Sequence, residues 1–203
     1  LNHLAAVLDS WDPRVVDGIA SQRRVITFDN RGVGASEGRT PSSIAAMAND
    51  AVAFIRALGL DHVDLLGFSL GGFVAQEIVR QQPALVRRLI LAGTGPAGGK
   101  GIAKVTRITI SDSVAATLVR KDPKENLFFT KTANGKAEGR RFVQRLKERT
   151  VDRDKAISPV AFRRQLKAIH AWGTQQPTDL SGITQPVRGQ RRSRPDGAHQ
   201  QFH

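Results

Sequence analysis

No cysteine occurs among the 203 residues of this chain, which excludes a disulfide scaffold and any thiolate metal site while leaving the compartment open. The sequence also lacks an apolar run long enough to span a bilayer, and nothing in it resembles the basic, apolar and small-residue series of a signal peptide. These absences predict a soluble protein with no membrane partner, and the cytoplasm as its default location. Methionine is missing from the first position: Leu1 leads directly into an apolar run, so the natural start is expected upstream. What is present suffices for a core. With 40% hydrophobic residues, a chain of 203 fits one globular unit better than two, with room for an inserted lid.

Negative charge is in short supply, since 31 Lys and Arg stand against 18 Asp and Glu, a formal net charge of +13. Such an excess would attract nucleic acid or an anionic surface if it were grouped on one face. Much of it comes from Arg140, Arg141, Arg145, Lys147, Arg149, Arg163, Arg164 and Lys167, which alternate with apolar residues at roughly helical spacing. That pattern reads as solvated helix faces, and no nucleic-acid partner is expected.

Arg24 to Phe28 is a short β-branched run ending at Asp29-Asn30-Arg31-Gly32, as in a buried strand that meets a turn. Thr40-Pro41 supplies a helix cap and first position, and Ile44, Met47, Val52, Ile55 and Leu58 then recur at near-helical spacing until Gly59. A second strand is expected at Val63 to Leu66, a helix carrying Phe73, Ile78 and Val79 before Pro83, and a third strand at Arg88 to Ala92. Strands that alternate with helices of this length imply crossover connections, and so an α/β fold with a mostly parallel sheet covered by helices on both faces. After Gly93 the pattern changes to a Gly-rich turn and a long, basic, helix-leaning region through about Trp172, which reads as a lid. Asp179 to Val187 approaches a further strand.

Between the second strand and its helix lies Gly67-Phe68-Ser69-Leu70-Gly71-Gly72, a G-x-S-x-G segment in the strand-to-helix setting that a nucleophile elbow requires. A sharp turn would present the Ser69 hydroxyl at the helix N-terminus. The small neighbours at 67 and 71 would let strand and helix approach, and the Leu70 N–H would be free to donate to a developing oxyanion. The plainer alternative is a turn in which Ser69 only caps the helix. Phosphate binding is disfavoured, because no Lys follows the glycines at Walker spacing. Gly93-x-Gly95-x-x-Gly98 matches a dinucleotide fingerprint, but Gly99 and Gly101 would spoil the helix that should open there, so no nucleotide cofactor is expected.

At this point the chain resembles the α/β-hydrolases of the esterase, lactonase, haloperoxidase and proline-iminopeptidase type. Asn2-His3-Leu4 is similar to that family's His-Gly loop, Asp29-Asn30-Arg31-Gly32-Val33-Gly34-Ala35-Ser36 to its D-x-R-G-x-G-x-S turn, and Gly67 to Gly72 to its elbow. The resemblance implies an incomplete α/β-hydrolase sheet with a helical lid: residues 1–100 as the first part of the core, 101–175 as the lid, 176–187 as the return to the core. It implies Ser69 as the catalytic nucleophile, Leu70 and Leu4 as oxyanion donors, and His3 as support for the oxyanion loop. No metal and no organic cofactor are implied, and the partner is a small-molecule acyl substrate such as an ester or lactone. The family has two strands before its His-Gly loop, so a chain truncated at both ends is expected. Leu4 stands where the family has Gly.

A Ser nucleophile needs a base within hydrogen-bond reach, itself oriented by a carboxylate. His3 falls on the oxyanion loop, His62 in a surface turn before the elbow strand, and His170 on the lid helix beside Trp172 with a packing or pocket-wall role; none sits where the family has its base. The alternative function is therefore a non-catalytic small-molecule-binding or interaction protein on the same fold. Residues 188–203 form an aberrant basic tail where a strand and the acid loop belong. A one-nucleotide shift in one permitted codon choice turns this tail into Val-Ala-Asn-Gly-Asp-His-Asp-Arg-Met-Val-Pro, which resembles the family's strand and its G-x-x-D-x-x-V-P loop. Sequencing the gene across codon 187 is expected to reveal a displaced frame; an intact frame encoding the basic tail in independent isolates would remove the idea.

Overall fold

The computed structural model describes residues 1–105 and 122–190. Its sheet has three short strands among the described residues, β1 (Val63–Phe68), β2 (Val86–Ala92) and β3 (Val187–Gln190), in the order β1-β2-β3 and parallel throughout. The register sets Leu65 beside Leu89 and Leu89 beside Val187. The helices are α1 (Pro13–Ala20), α2 (Ile44–Ala57), α3 (Leu70–Gln81), α4 (Pro123–Phe128), α5 (Ala133–Arg145) and α6 (Pro159–Thr174). This is the expected α/β class, a parallel sheet flanked by helices, with three strands among the described residues. No described helix is long and apolar enough to cross a membrane.

The core follows the apolar spacing. Ile44, Met47, Ala48, Ala51 and Ile55 put one buried stripe on α2, whereas α3 is buried on every side from Leu70 to Val79 and is the central helix of the layer. Leu65, Leu85 and Leu89 meet them from the strand side, and Ala168, Ile169 and Trp172 of α6 close over the top, with Trp172 stacked on Phe73 at 5.6 Å. Complete burial of one such side chain as Ile78 stabilises by about 2 kcal/mol, so truncating it would remove a sizeable part of a typical domain's margin.

Four expectations require correction. Arg24 to Phe28 forms no strand, because no neighbouring backbone among the described residues supplies a ladder; the run is held by Asn2 Nδ2, which donates to Phe28 O at 3.1 Å, and by Phe28 stacking on Phe54 at 4.3 Å. Thr40 does not cap α2: its hydroxyl donates to Gly32 O at 3.1 Å, and Ser43 accepts from Ala46 N instead. The sheet is not covered on both faces by described residues, since Ile90, whose side chain points away from that of buried Leu89, remains 40% exposed. His170 is exposed rather than packed, while its neighbour Trp172 carries the burial. The Arg24–Phe28 and sheet corrections share a cause, which is that pairing and covering are long-range properties that local patterning does not contain. His62 is exposed, as its turn position predicts.

Several basic residues are not solvated ornaments but ties to the N-terminal segment. Arg145 grips Asp12 with a bidentate pair at 2.5 to 3.0 Å, and Arg149 meets Asp9 at 2.8 Å. Asp9 also accepts the Asp154 N–H at 2.7 Å, which brings the Asp154 carboxylate to the turn after Phe28. There it faces Asp29, across a gap so narrow that a Cβ on Gly34 would lie 2.5 Å from Asp29 Oδ2 and 2.6 Å from both Asp154 oxygens. Burial, reinforced by the facing Asp154 carboxyl, pushes the Asp29 carboxyl up to about 7.

A carboxyl that holds its proton more tightly folded than unfolded, where its value is about 4, contributes stability that is full below about 4 and is lost as pH rises through the folded value. Melting curves of the wild type and Asp154→Asn between pH 4 and 8 should therefore diverge, the wild type losing stability relative to the variant as pH climbs toward 7. Parallel curves would show that the two carboxyls do not share a proton.

Candidate active site

Ser69 joins β1 to α3 with φ 53° and ψ −114°, a conformation that a side chain adopts only under constraint, at a cost of about 1–3 kcal/mol. The constraint is visible in its hydrogen bonds. Ser69 N donates to Ala92 O at 2.9 Å, so the sheet register continues into the turn, and its carbonyl accepts from Gly72 N at 2.8 Å and from the Thr94 hydroxyl at 2.9 Å. The Ser69 side chain makes no capping hydrogen bond to the helix. The capping alternative raised by the sequence thus has no support in the geometry.

Three glycines make the turn possible by close approach rather than by their own φ angles. A Cβ on Gly67 would fall 2.5 Å from Gly71 O, one on Gly72 would fall 2.5 Å from Thr94 Cγ2, and one on Gly71 would run into Leu1 O. Gly71 is the point at which the N-terminal loop crosses the start of α3. Leu1 is held there by two bonds to β1, donating to Leu66 O at 2.7 Å and accepting from Phe68 N at 3.1 Å.

This contact brings Asn2, His3 and Leu4 to the elbow. Asn2 accepts from Trp11 Nε1 at 2.5 Å and donates to Phe28 O, which spans the loop to the turn before Asp29. The His3 Nδ1–H donates to Leu4 O at 2.8 Å, leaving Nε2 as a bare, buried lone pair with no partner among the described residues. The ring sits edge-on between Phe68 and Phe128, each with its centroid at 5.2 Å, and this burial pushes its pKa down to about 4. His3 is therefore uncharged at neutral pH.

Leu70 N–H occupies the first position of α3, where no intrahelical acceptor exists, and Leu4 N–H has no acceptor among the described residues. Ala5, next in the loop, stands at φ 61° and donates its N–H to Gln165 Oε1 on α6 at 2.9 Å. Among the described residues no His, Asp or Glu side chain is hydrogen-bonded to Ser69, and no three such side chains are grouped as metal ligands.

Ser69, Leu70, Leu4 and His3 thus lie on the N-terminal loop or on the elbow that it crosses, whereas His62 and His170 lie elsewhere. Thr94 and Gln165 were not legible in the sequence. Thr94 reads there as part of a Gly-rich loop, and Gln165 as one polar position on a basic helix. A cavity of about 540 Å³ lies between α2, α3, the end of α6 and residues 178–183, with Gln76, Glu77 and Trp172 in its walls; Ser69, Leu70 and His3 do not line it.

Comparison with known proteins accounts for this arrangement. The family described as alpha/beta hydrolase fold matches residues 4–159. A solved alpha/beta hydrolase fold protein from Chitinophaga pinensis superposes with a TM-score of 0.86 at 38% identity, covering 93% of this chain and 68% of its own. A protein assigned as the carbamate hydrolase RutD in Agrobacterium fabrum is 35% identical over 83 residues, 40% of this chain. The sn-1-specific diacylglycerol lipase of Mus musculus is 33% identical over 106 residues, 49% of this chain. The matched segments span only 31% and 34% of those two relatives. The enol-lactonase from Burkholderia xenovorans, with a TM-score of 0.62 at 20% identity, shares the fold. A family match across most of the chain, and a solved relative that follows it nearly end to end, establish that the chain belongs to the α/β-hydrolase fold family.

Proposed function

We propose that Ser69 is the nucleophile of a serine hydrolase that acts on an ester, lactone or related acyl group through an acyl-enzyme. The observation that carries this reading is the backbone of Ser69, held at φ 53° with its hydroxyl unused in capping. A turn that costs energy and frees a hydroxyl is explained by presentation of that hydroxyl to a substrate. In the reaction, Ser69 Oγ forms a bond to the acyl carbon and its proton passes to the departing alcohol or lactone oxygen; water then breaks the acyl-oxygen bond and restores the hydroxyl. Leu70 N–H, at the positive end of α3, and Leu4 N–H are the proposed donors to the oxyanion. His3 supports the loop: its one hydrogen bond goes to Leu4 O, beside the second donor.

Residues 101–175 act as the lid in this reading. Phe128 and Phe142 lie 6.2 Å apart and Phe128 lies 5.3 Å from Phe68, beside Ser69, an apolar wall suited to an acyl or lactone body. The ester-, lactone- and carbamate-cleaving names among the relatives agree with acyl transfer as the shared chemistry.

The described residues offer Ser69 no bonded base, and loss of triad function costs on the order of 10⁶ in turnover in subtilisin. Incubation of this chain with a p-nitrophenyl ester should therefore give a slow acyl adduct, seen as a mass increase on Ser69, with steady-state turnover close to background. Adduct and turnover should both vanish in Ser69→Ala. Hydrolysis that survives this substitution would overturn the reading, and ligand binding without any adduct would favour the non-catalytic alternative, which the His3 Nε2 and the Ser69 hydroxyl, both without a partner among the described residues, allow.

A further inference from the structure

Gln165 is wholly buried, polar, and placed on a helix whose other inward residues, Ala161, Leu166, Ala168, Ile169 and Trp172, are almost all apolar. Its Oε1 accepts the N–H of Ala5, and its Nε2 has no partner among the described residues. A Met or Leu would fill the same space without burying an amide nitrogen that has no partner, so packing alone does not account for an amide at this position.

What the amide holds is the turn that carries the proposed second oxyanion donor. Ala5 follows Leu4 directly and stands at φ 61°, a conformation that a residue with a Cβ leaves unless it is held. Two bonds hold it: Ala6 N donates to His3 O at 3.2 Å within the turn, and Ala5 N donates to Gln165 from outside it. The second anchor comes from a helix more than a hundred and fifty residues away in sequence. That helix is itself fixed to the core on both sides of the site, by Arg164 donating to Thr40 O and by Trp172 Nε1 donating to Gly95 O. The amide cannot be turned round, because its nitrogen would then oppose the Ala5 N–H.

We infer that Gln165 is a positioning residue for the oxyanion loop, fixing the Leu4 donor in place from the lid side so that α6 and the nucleophile turn form one unit. The inference rests on the reading of Ser69 as a nucleophile. It adds that the lid does more than shape the acyl pocket, since its docking sets the geometry in which a negative charge on the substrate oxygen is met.

The test uses the whole chain, a fluorophosphonate that labels the nucleophilic serine, and two variants. Gln165→Met keeps the volume and removes the acceptor; Gln165→Glu keeps an oxygen facing Ala5. The maximal labelling rate of Ser69 should fall about tenfold in Gln165→Met, less than the loss of a whole oxyanion donor would cause, with the half-saturating probe concentration unchanged. The Ala5 amide should exchange its hydrogen faster in the same variant, and Gln165→Glu should restore both. An unchanged labelling rate in Gln165→Met, or a loss that Gln165→Glu does not restore, would overturn the positioning role. If the wild type takes no label, it is the reading of Ser69 that fails, and exchange decides the anchor alone: an Ala5 amide that exchanges equally fast in wild type and Gln165→Met would overturn it.

Discussion

The structure depends on one close backbone crossing, where the carbonyls of Leu1 and Asn2 pass over the first turn of α3 at Gly71. No side chain fits between them, so the residue at 71 must be glycine, and the loop that follows is delivered to the elbow whether or not any substrate is present. Gly67 and Gly72 serve the same crossing from below, letting β1 fold back on α3 and Thr94 reach the Ser69 carbonyl. The strain at Ser69 is sustained because the surrounding bonds determine its backbone on both sides: the sheet through Ala92, and the helix through Gly72. Strained backbone of this kind is sustained by the density of the packing around it.

The basic excess of the chain takes on a different meaning once the pairs are known. Asp9 and Asp12, on the segment after His3 and Leu4, are met by Arg149 and Arg145 from α5 and the stretch beyond it. The Asp12–Arg145 pair is bidentate and its side chains are only 11% and 16% exposed, a setting in which an ion pair is screened less than at an open surface. Together with the Gln165 bond to Ala5, these contacts fasten the later helices to the N-terminal loop, while Arg164 ties α6 to Thr40 O. Polar contacts thus join the later helices to the N-terminal segment, in addition to the apolar packing of Ala168, Ile169 and Trp172 on the core.

Local elements were legible because local physics determines them. The spacing of Met47, Ala51 and Ile55 specifies one face of a helix, and the glycines around Ser69 specify a tight turn whatever surrounds it. The approach of Pro186 and Val187 to a strand is likewise borne out by β3 pairing with β2. Long-range facts were not legible. Arg24 to Phe28 has a strand's composition and no neighbour among the described residues, and Thr40 has a cap's composition but spends its hydroxyl on Gly32. Gln165 has the look of any surface amide until α6 is seen to lie on Ala5. The tail from residue 191 onward lies outside the described residues, so its shifted-frame reading rests on the sequence alone.

The central claim is that Ser69, Leu70 and Leu4 form one nucleophile-and-oxyanion unit. It is tested most directly by a crystal structure of the chain soaked with an aryl boronic acid, which forms a tetrahedral adduct on a nucleophilic serine. The account predicts boron bonded to Ser69 Oγ, with one boronate oxygen at about 3 Å from the N–H groups of both Leu70 and Leu4. A boronate bound elsewhere, or one attached to Ser69 with its oxygens turned away from both N–H groups, would contradict it.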